Sequence, residues 1–330
     1  MSEAWDFDPG PWKGHDFKSA RNQYDVHVGR SYQDAVSKSI DPSGLVPDSI
    51  ATDCKAPLVV ACDVTGSMGE SPATIFSKCP YLDIESKEYL GDDFEISFAA
   101  IGDAYTDDYP LQVRSFARGT ELKKKLKELV VEGGGGGQSR ESYELAALYY
   151  ARHVSMPKAI NPIFIFISDE GLYDFVDKQQ AKQWTHTTLS KRMSFEQVFA
   201  ALKRKFAVYA IRQPYQKTGK DSMSEADKRI HKQWASVVGE DHMAFLPDAA
   251  RIVDVIFGIL AKETGKIDYF LEEIKGRQTA KQVKTAMKGL KSIHALPAPA
   301  NGSKKKKTAK SSGKSVVKRN SKGKDSKPLV

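Results

Sequence analysis

Residues 58–69 read Leu58-Val-Val-Ala-Cys-Asp63-Val-Thr65-Gly-Ser67-Met-Gly69. The first five form a continuous apolar run, as expected of a strand buried on both faces. The run stops at a carboxylate, and two hydroxyls and two glycines follow within six residues. This pattern describes a buried strand that delivers a polar turn to one edge of a sheet. In open parallel α/β sheets, ligands bind beyond the carboxyl ends of the strands.

Working outward, further strand patterns appear at Phe94–Ile101, Ile163–Ile167, Phe206–Ile211 and, more briefly, Met243–Leu246. Leu111–Phe116 alternates as a half-exposed edge strand does. Helical patterns fill the gaps. Thr120 is placed to cap Glu121–Val131, Glu141–His153 carries Leu145, Leu148 and Tyr149 on one side, and Ser194 with Gln197 forms a capping box that opens Phe195–Lys205. Ser224–Val238 and Ala249–Lys262 close the series. Strands alternating with helices predict an α/β fold, a doubly wound and mostly parallel sheet with helices on both faces.

That topology brings three loops to one edge: Asp63–Gly69, Ser168-Asp-Glu-Gly171, and the glycine-rich entry Gly133–Glu141. They offer Asp63, Asp169, Thr65 and Ser67, with no imidazole among them. Hard oxygen donors select Mg²⁺, with Mn²⁺ or Ca²⁺ as alternatives, over zinc or copper. In an extended strand Asp63, Thr65 and Ser67 would follow one another at roughly 6–7 Å, too far apart to share an ion. A turn at Gly66 folds them toward one point. The competing explanation for Asp63 and Ser67 is a helix N-cap, a common role for both residue types. No GK[ST] follows the glycines, which removes a phosphate cradle. Asp103, Asp107 and Asp108 follow the second strand, where they would either extend the acidic rim or be solvated turn residues, the latter being expected. Cys62 reads as a small core residue.

Asp63-x-Thr65-x-Ser67 resembles the DxSxS element of the von Willebrand factor A (vWA) domain. The glycine-rich loop and Ile167-Ser-Asp-Glu-Gly171 resemble that family's second and third metal-site loops, and the order of elements from Leu58 to Lys262 is similar. The resemblance implies a vWA fold and a metal-ion-dependent adhesion site. Thr65 and Ser67 would bind the ion directly, Asp63 and Asp169 would bond through water, and a partner's carboxylate would take an open position. Many members carry a Thr after the glycines, whereas this chain has Gly137-Gln-Ser-Arg-Glu141. The second loop's ligand is therefore open among Gln138, Ser139 and Glu141.

Charge is unevenly spread over the 330 residues. The net +8 divides into +10 on residues 301–330 (ten Lys and one Arg against one Asp) and −2 on the rest, with −6 on residues 1–265. The tail is low-complexity Lys/Ser/Gly and is expected to be disordered. It suits either non-specific contact with DNA or RNA by counterion release or simple solubilisation. Before it, Ile267, Phe270, Leu271 and Ile274, continued by Val283, Met287 and Leu290, form an amphipathic stripe. The expected organisation is an arm (1–56) packing on the body through Trp5, Phe7, Trp12, Phe17 and Tyr24, a vWA domain (57–264), an amphipathic helical extension (265–296) and the tail (297–330).

With 40% hydrophobic and 28% charged residues, the chain reads as one with a substantial core. Apolar runs are too short to cross a bilayer, no signal-like segment opens the chain, and Cys54, Cys62 and Cys79 match no disulfide framework or zinc pattern. Cytoplasmic location is expected. The functional expectation is a non-enzymatic, Mg²⁺-dependent module that binds an acidic side chain of a protein partner. By analogy with intracellular vWA proteins, that partner would be an AAA+ ATPase, or else a kinase or phosphatase. The alternatives are a metal-dependent phosphatase or hydrolase, and a scaffold bound to DNA or RNA through the tail.

Overall fold

The computed structural model describes residues 42–69, 71–131, 139–215 and 223–293. Six strands, β1 (Ala56–Asp63), β2 (Phe94–Ile101), β3 (Leu111–Val113), β4 (Ile163–Ser168), β5 (Ala207–Arg212) and β6 (Met243–Phe245), form one sheet in the order β6-β5-β4-β1-β2-β3. All pairs are parallel except β2 with β3. β1 lies near the centre and is buried along its whole length.

Because side chains alternate along a strand, the two faces build two cores. Leu58, Val60 and Cys62 join Ile163, Ile165 and Ile167 on one side, and Val59 and Ala61 join Phe164 and Phe166 on the other. The first core is covered by α1 (Ser71–Lys78), α2 (Pro80–Glu85), α3 (Lys87–Leu90) and α4 (Gly119–Lys127). The second is covered by α5 (Tyr143–His153), α6 (Lys178–Thr185), α7 (Phe195–Leu202) and α8 (Glu225–Val238). The chain then returns to the first face with α9 (Ile252–Thr264), α10 (Ile267–Arg277) and α11 (Ala280–Gly289). Helices on both faces of a mostly parallel sheet are the α/β architecture the sequence predicts.

α9 is buried from Ile252 to Ala261, apolar there except for Asp254, which pairs with Arg251 and Arg277. A helix of that kind must be covered on all sides, and α10 and α11 supply the outer cover with Phe270, Ile274, Met287 and Leu290. Close approach of α11 depends on missing side chains. A Cβ on Gly289 would stand 2.2 Å from the carbonyl oxygen of Phe245, and one on Gly258 would stand 2.3 Å from Leu290.

Several local expectations need correction. Thr120 does not cap its helix. α4 begins at Gly119, and the donor of Gly119 is satisfied by the Asp83 carboxylate at 2.8 Å, from α2. The helix also stops at Lys127 rather than Val131. The edge strand spans only Leu111–Val113 and is buried, not half-exposed. Its polar Gln112 is paired in both directions with the backbone of Val130, at 2.8 Å each, which closes the sheet edge. The capping box at Ser194 and Gln197 forms as expected.

The described part of the N-terminal arm, residues 42–56, lies against the second core through Val46 and Ile50. Ile50–Ala51 pairs in parallel with Val154–Ser155. The aromatics Trp5, Phe7, Trp12, Phe17 and Tyr24 and the Lys-rich tail lie outside the described residues. All three cysteines are buried thiols. Among the described residues no helix is long and apolar enough to cross a membrane.

Gly289→Ala should lower the unfolding free energy by about 1–3 kcal/mol in urea denaturation, since backbone must move to admit the methyl. An unchanged midpoint would mean that α11 does not dock on the β6 end in solution.

Candidate metal-binding site

Register assembles the site. Cys62 pairs with Ile167, so Asp63 at the end of β1 stands level with Ser168, and Asp169 lies one residue beyond. Past Asp63 the chain turns tightly at Gly66–Met68, which brings Thr65 Oγ1 within 3.1 Å of Ser67 Oγ. Asp63 Oδ1 accepts from the Thr65 amide at 2.9 Å and from the Thr65 hydroxyl at 2.6 Å. Ser67 donates to Asp169 Oδ1 at 3.2 Å, closing a contact across 102 residues of sequence. Asp63, Thr65, Ser67 and Asp169 therefore form one hydrogen-bonded chain, as the turn at Gly66 leads one to expect. Neither Asp63 nor Ser67 is a helix N-cap. Thr65 holds that position for the short turn and makes no side-chain cap bond.

The second loop joins the third through a two-residue parallel pairing, Arg140 with Gly171 and Glu141 with Leu172. Gly171 permits it, because a Cβ there would stand 2.6 Å from Gln233 Oε1 and 3.3 Å from the carbonyl oxygen of Ser139. Gln233 in turn grips Leu172 by both backbone groups at 2.8 Å. Glu141 is thereby buried beside the cluster. Gln138 and the glycine run Gly133–Gly137 lie outside the described residues.

Three residues that sequence reasoning assigned no role complete the surroundings. Glu170, next to Asp169, is buried. Tyr143, the first residue of α5, donates its hydroxyl to Asp63 Oδ2 in a short hydrogen bond, and is held edge-on against Trp234 with ring centroids 5.0 Å apart. Arg212, at the end of β5, donates to the Asp169 carbonyl at 2.7 Å and pairs with Asp227 at 3.7 Å. Adjacency to Asp169 was a usable signal for Glu170; nothing in the local spacing marks Tyr143 or Arg212.

The electrostatics are those of crowded carboxylates. Burial raises Asp63 to about 6 against the hydrogen bonds from Thr65 and Tyr143. Burial, followed by the charge of Asp63, raises Glu170 to about 7 and drives Glu141 far higher. Asp169 is pushed well above the usual carboxylate range by burial, then by Asp63 and Glu170, with Ser67 and Arg212 opposing. Asp169 Oδ2, Glu141 Oε2 and Glu170 Oε2 are buried without a hydrogen-bond partner.

Such orphaned acceptors fit a divalent cation held by oxygen. Among the described residues no three His, Cys, Asp or Glu side chains are grouped as ready-made ligands; the hydroxyls of Thr65 and Ser67 stand beside the carboxylates as further oxygen donors. Ser67 is exposed, while Asp63, Thr65 and Asp169 are buried, so the cluster meets solvent at Ser67. Asp103, expected to be solvated, is instead fully buried. It accepts from the Tyr105 amide, the Tyr173 hydroxyl and the Thr106 hydroxyl at 3.0–3.1 Å.

No family model matches the chain, and no curated protein does. Among solved structures, the pilus adhesin SpaC of Lactobacillus rhamnosus GG is similar at a TM-score of 0.43 and 11% identity, over 69% of this chain and 32% of the adhesin. The open conformation of the same adhesin gives a TM-score of 0.43 and 10% identity, over 69% of this chain and 31% of the adhesin. This chain thus spans about a third of the adhesin's length.

A carboxyl group with a raised pKa is one that the folded state prefers protonated. Its stabilising contribution is full below the unfolded value and is lost as pH rises through the folded one. In EDTA the unfolding free energy should therefore fall from about pH 4 to about pH 7, the span set by Asp63 and Glu170. Glu170→Gln should flatten that fall in urea titrations at several pH values. A wild-type stability that rises over the same span would contradict the arrangement.

Proposed function

We propose that the chain is a non-enzymatic, vWA-type protein-binding module whose adhesion site holds Mg²⁺, with Mn²⁺ or Ca²⁺ as substitutes. The observation that carries this reading is the Asp63–Thr65–Ser67–Asp169 chain of hydrogen bonds, which opens to solvent at Ser67. It is flanked by the unpartnered buried carboxylate oxygens of Asp169, Glu141 and Glu170. Thr65 and Ser67 would hold the ion, with Asp63 and Asp169 behind them. Glu141 is the second-loop residue favoured by its burial beside the cluster. Bound there, the ion would offer an electrophilic position to a carboxylate of another protein.

The chain's own residues prepare that position. Tyr143 and Thr65 fix both oxygens of Asp63, so this carboxylate cannot swing away. Arg212 holds the third loop by its backbone at Asp169. Glu141 and Glu170 add negative charge around the ion, and ligand charge count raises cation affinity. An AAA+ ATPase remains the partner suggested by analogy. The +10 tail supports a second, salt-sensitive contact with nucleic acid on composition alone.

Asp169→Asn, which keeps the shape of the side chain, should weaken Mg²⁺ binding in calorimetry by more than about tenfold. It should also abolish the difference between proteins captured from nuclease-treated lysate in Mg²⁺ and in EDTA. Capture that is identical in both media for the wild type would overturn the adhesion-site reading.

A further inference from the structure

A cavity lies away from these loops. It has a volume of about 500 Å³ and sits among the C-terminal end of α5, the segment 187–193 and α7. Tyr143 touches the metal-site cluster from one end of α5, and Arg152 reaches the cavity from the other. Eleven residues of helix separate the two regions by roughly 15 Å.

The wall of this cavity is one-sided in charge. Arg152, Lys191 and Arg204 line it, and no lining residue is acidic. None of the three makes an ion pair among the described residues. Thr188 and Ser190 add hydroxyls to the same lining, and Leu189 and Met193 add apolar surface. Positive potential is felt by a neighbour as well. The Lys205 ammonium is lowered by burial and then by the charge of Arg152.

Arg152 and Arg204 also stand near helix C-termini, where backbone carbonyls favour a cation. That attraction acts on each helix separately and is screened by salt. It explains neither Lys191 on the same wall nor the lack of any carboxylate among three like charges. Three exposed cations facing one concave space make a local positive potential that attracts an anion. The volume is within the range of small-molecule sites and would hold more than one phosphate.

We propose that this cavity binds a phosphorylated small molecule of nucleotide size, with its phosphates on Arg152, Lys191 and Arg204 and its apolar ring against Leu189 and Met193. The assignment is independent of the adhesion-site reading, because no residue is shared between the two sites.

The test is calorimetry of the full chain in EDTA with ADP and, separately, with inorganic pyrophosphate. The comparison protein is Arg152→Gln/Arg204→Gln, which keeps the basic tail intact. Both arginines are exposed, and circular dichroism would check that the fold is retained. Saturable binding of one ADP per chain, weakened at least tenfold in the double variant and unchanged in Asp169→Asn, is the expected result. Arg152→Lys/Arg204→Lys should keep most of the affinity, and pyrophosphate should bind more weakly than ADP. Identical isotherms for the wild type and the glutamine variant would overturn the proposal, because the heat would then come from elsewhere in the chain. Pyrophosphate binding as tightly as ADP would overturn the assignment of the apolar wall and leave a bare-anion site.

Discussion

The site depends on strand register. β1 is held between two parallel neighbours, and a slip of one residue would exchange its core-facing sets, putting Val59 and Ala61 where Leu58, Val60 and Cys62 belong. With both faces packed, such a slip is forbidden. The same pairing fixes Asp63 beside Ser168, so a constraint that arises from apolar packing positions two carboxylates whose chemistry has nothing to do with it. The remaining loops then need only short reaches. The pairing at Arg140–Glu141 and the grip of Gln233 bring the second loop to the third.

What register brings together, electrostatics resists. Four carboxyl groups, at Asp63, Glu141, Asp169 and Glu170, share a region from which water is largely excluded, and the nearby guanidinium of Arg212 is engaged with a carbonyl and with Asp227. A domain selected only for stability would replace some of these with amides or apolar groups, since buried charge without a partner is strongly destabilising. At the solvent-reaching edge Glu141, Asp169 and Glu170 each keep a buried oxygen without a hydrogen-bond partner. Asp63 is the exception. Its two oxygens are fully engaged by Thr65 and Tyr143, so it acts as the rigid post of the cluster.

Much of this was legible from residue patterns alone. The strands of the central sheet follow from apolar runs and alternation, and the meeting of Asp63, Thr65, Ser67 and Asp169 follows from the rule about carboxyl ends. What escaped was set by contacts remote in sequence. α4 starts at Gly119 because Asp83 reaches it from another helix, and no local cue announces that. α1 and α2 are short and carry Pro72 and Pro80 at or near their starts, which hides their periodicity, and α6 is largely polar. Asp103 looked like a solvated turn residue because its three donors come from a turn and from Tyr173 seventy residues away. Glu170 was visible but unassigned, since its role depends on burial rather than on spacing.

The thiols carry one more consequence. Cys62 is fully buried within β1 and is directly followed by Asp63, while Cys79 lies buried between α1 and α2 and Cys54 just before β1. A buried thiol in apolar surroundings is inert to alkylating dyes until the structure around it opens. The native chain thus contains its own clock. The rate at which Cys62 becomes modifiable reports how often the strand that holds the cluster detaches from its neighbours, with no substitution in the chain.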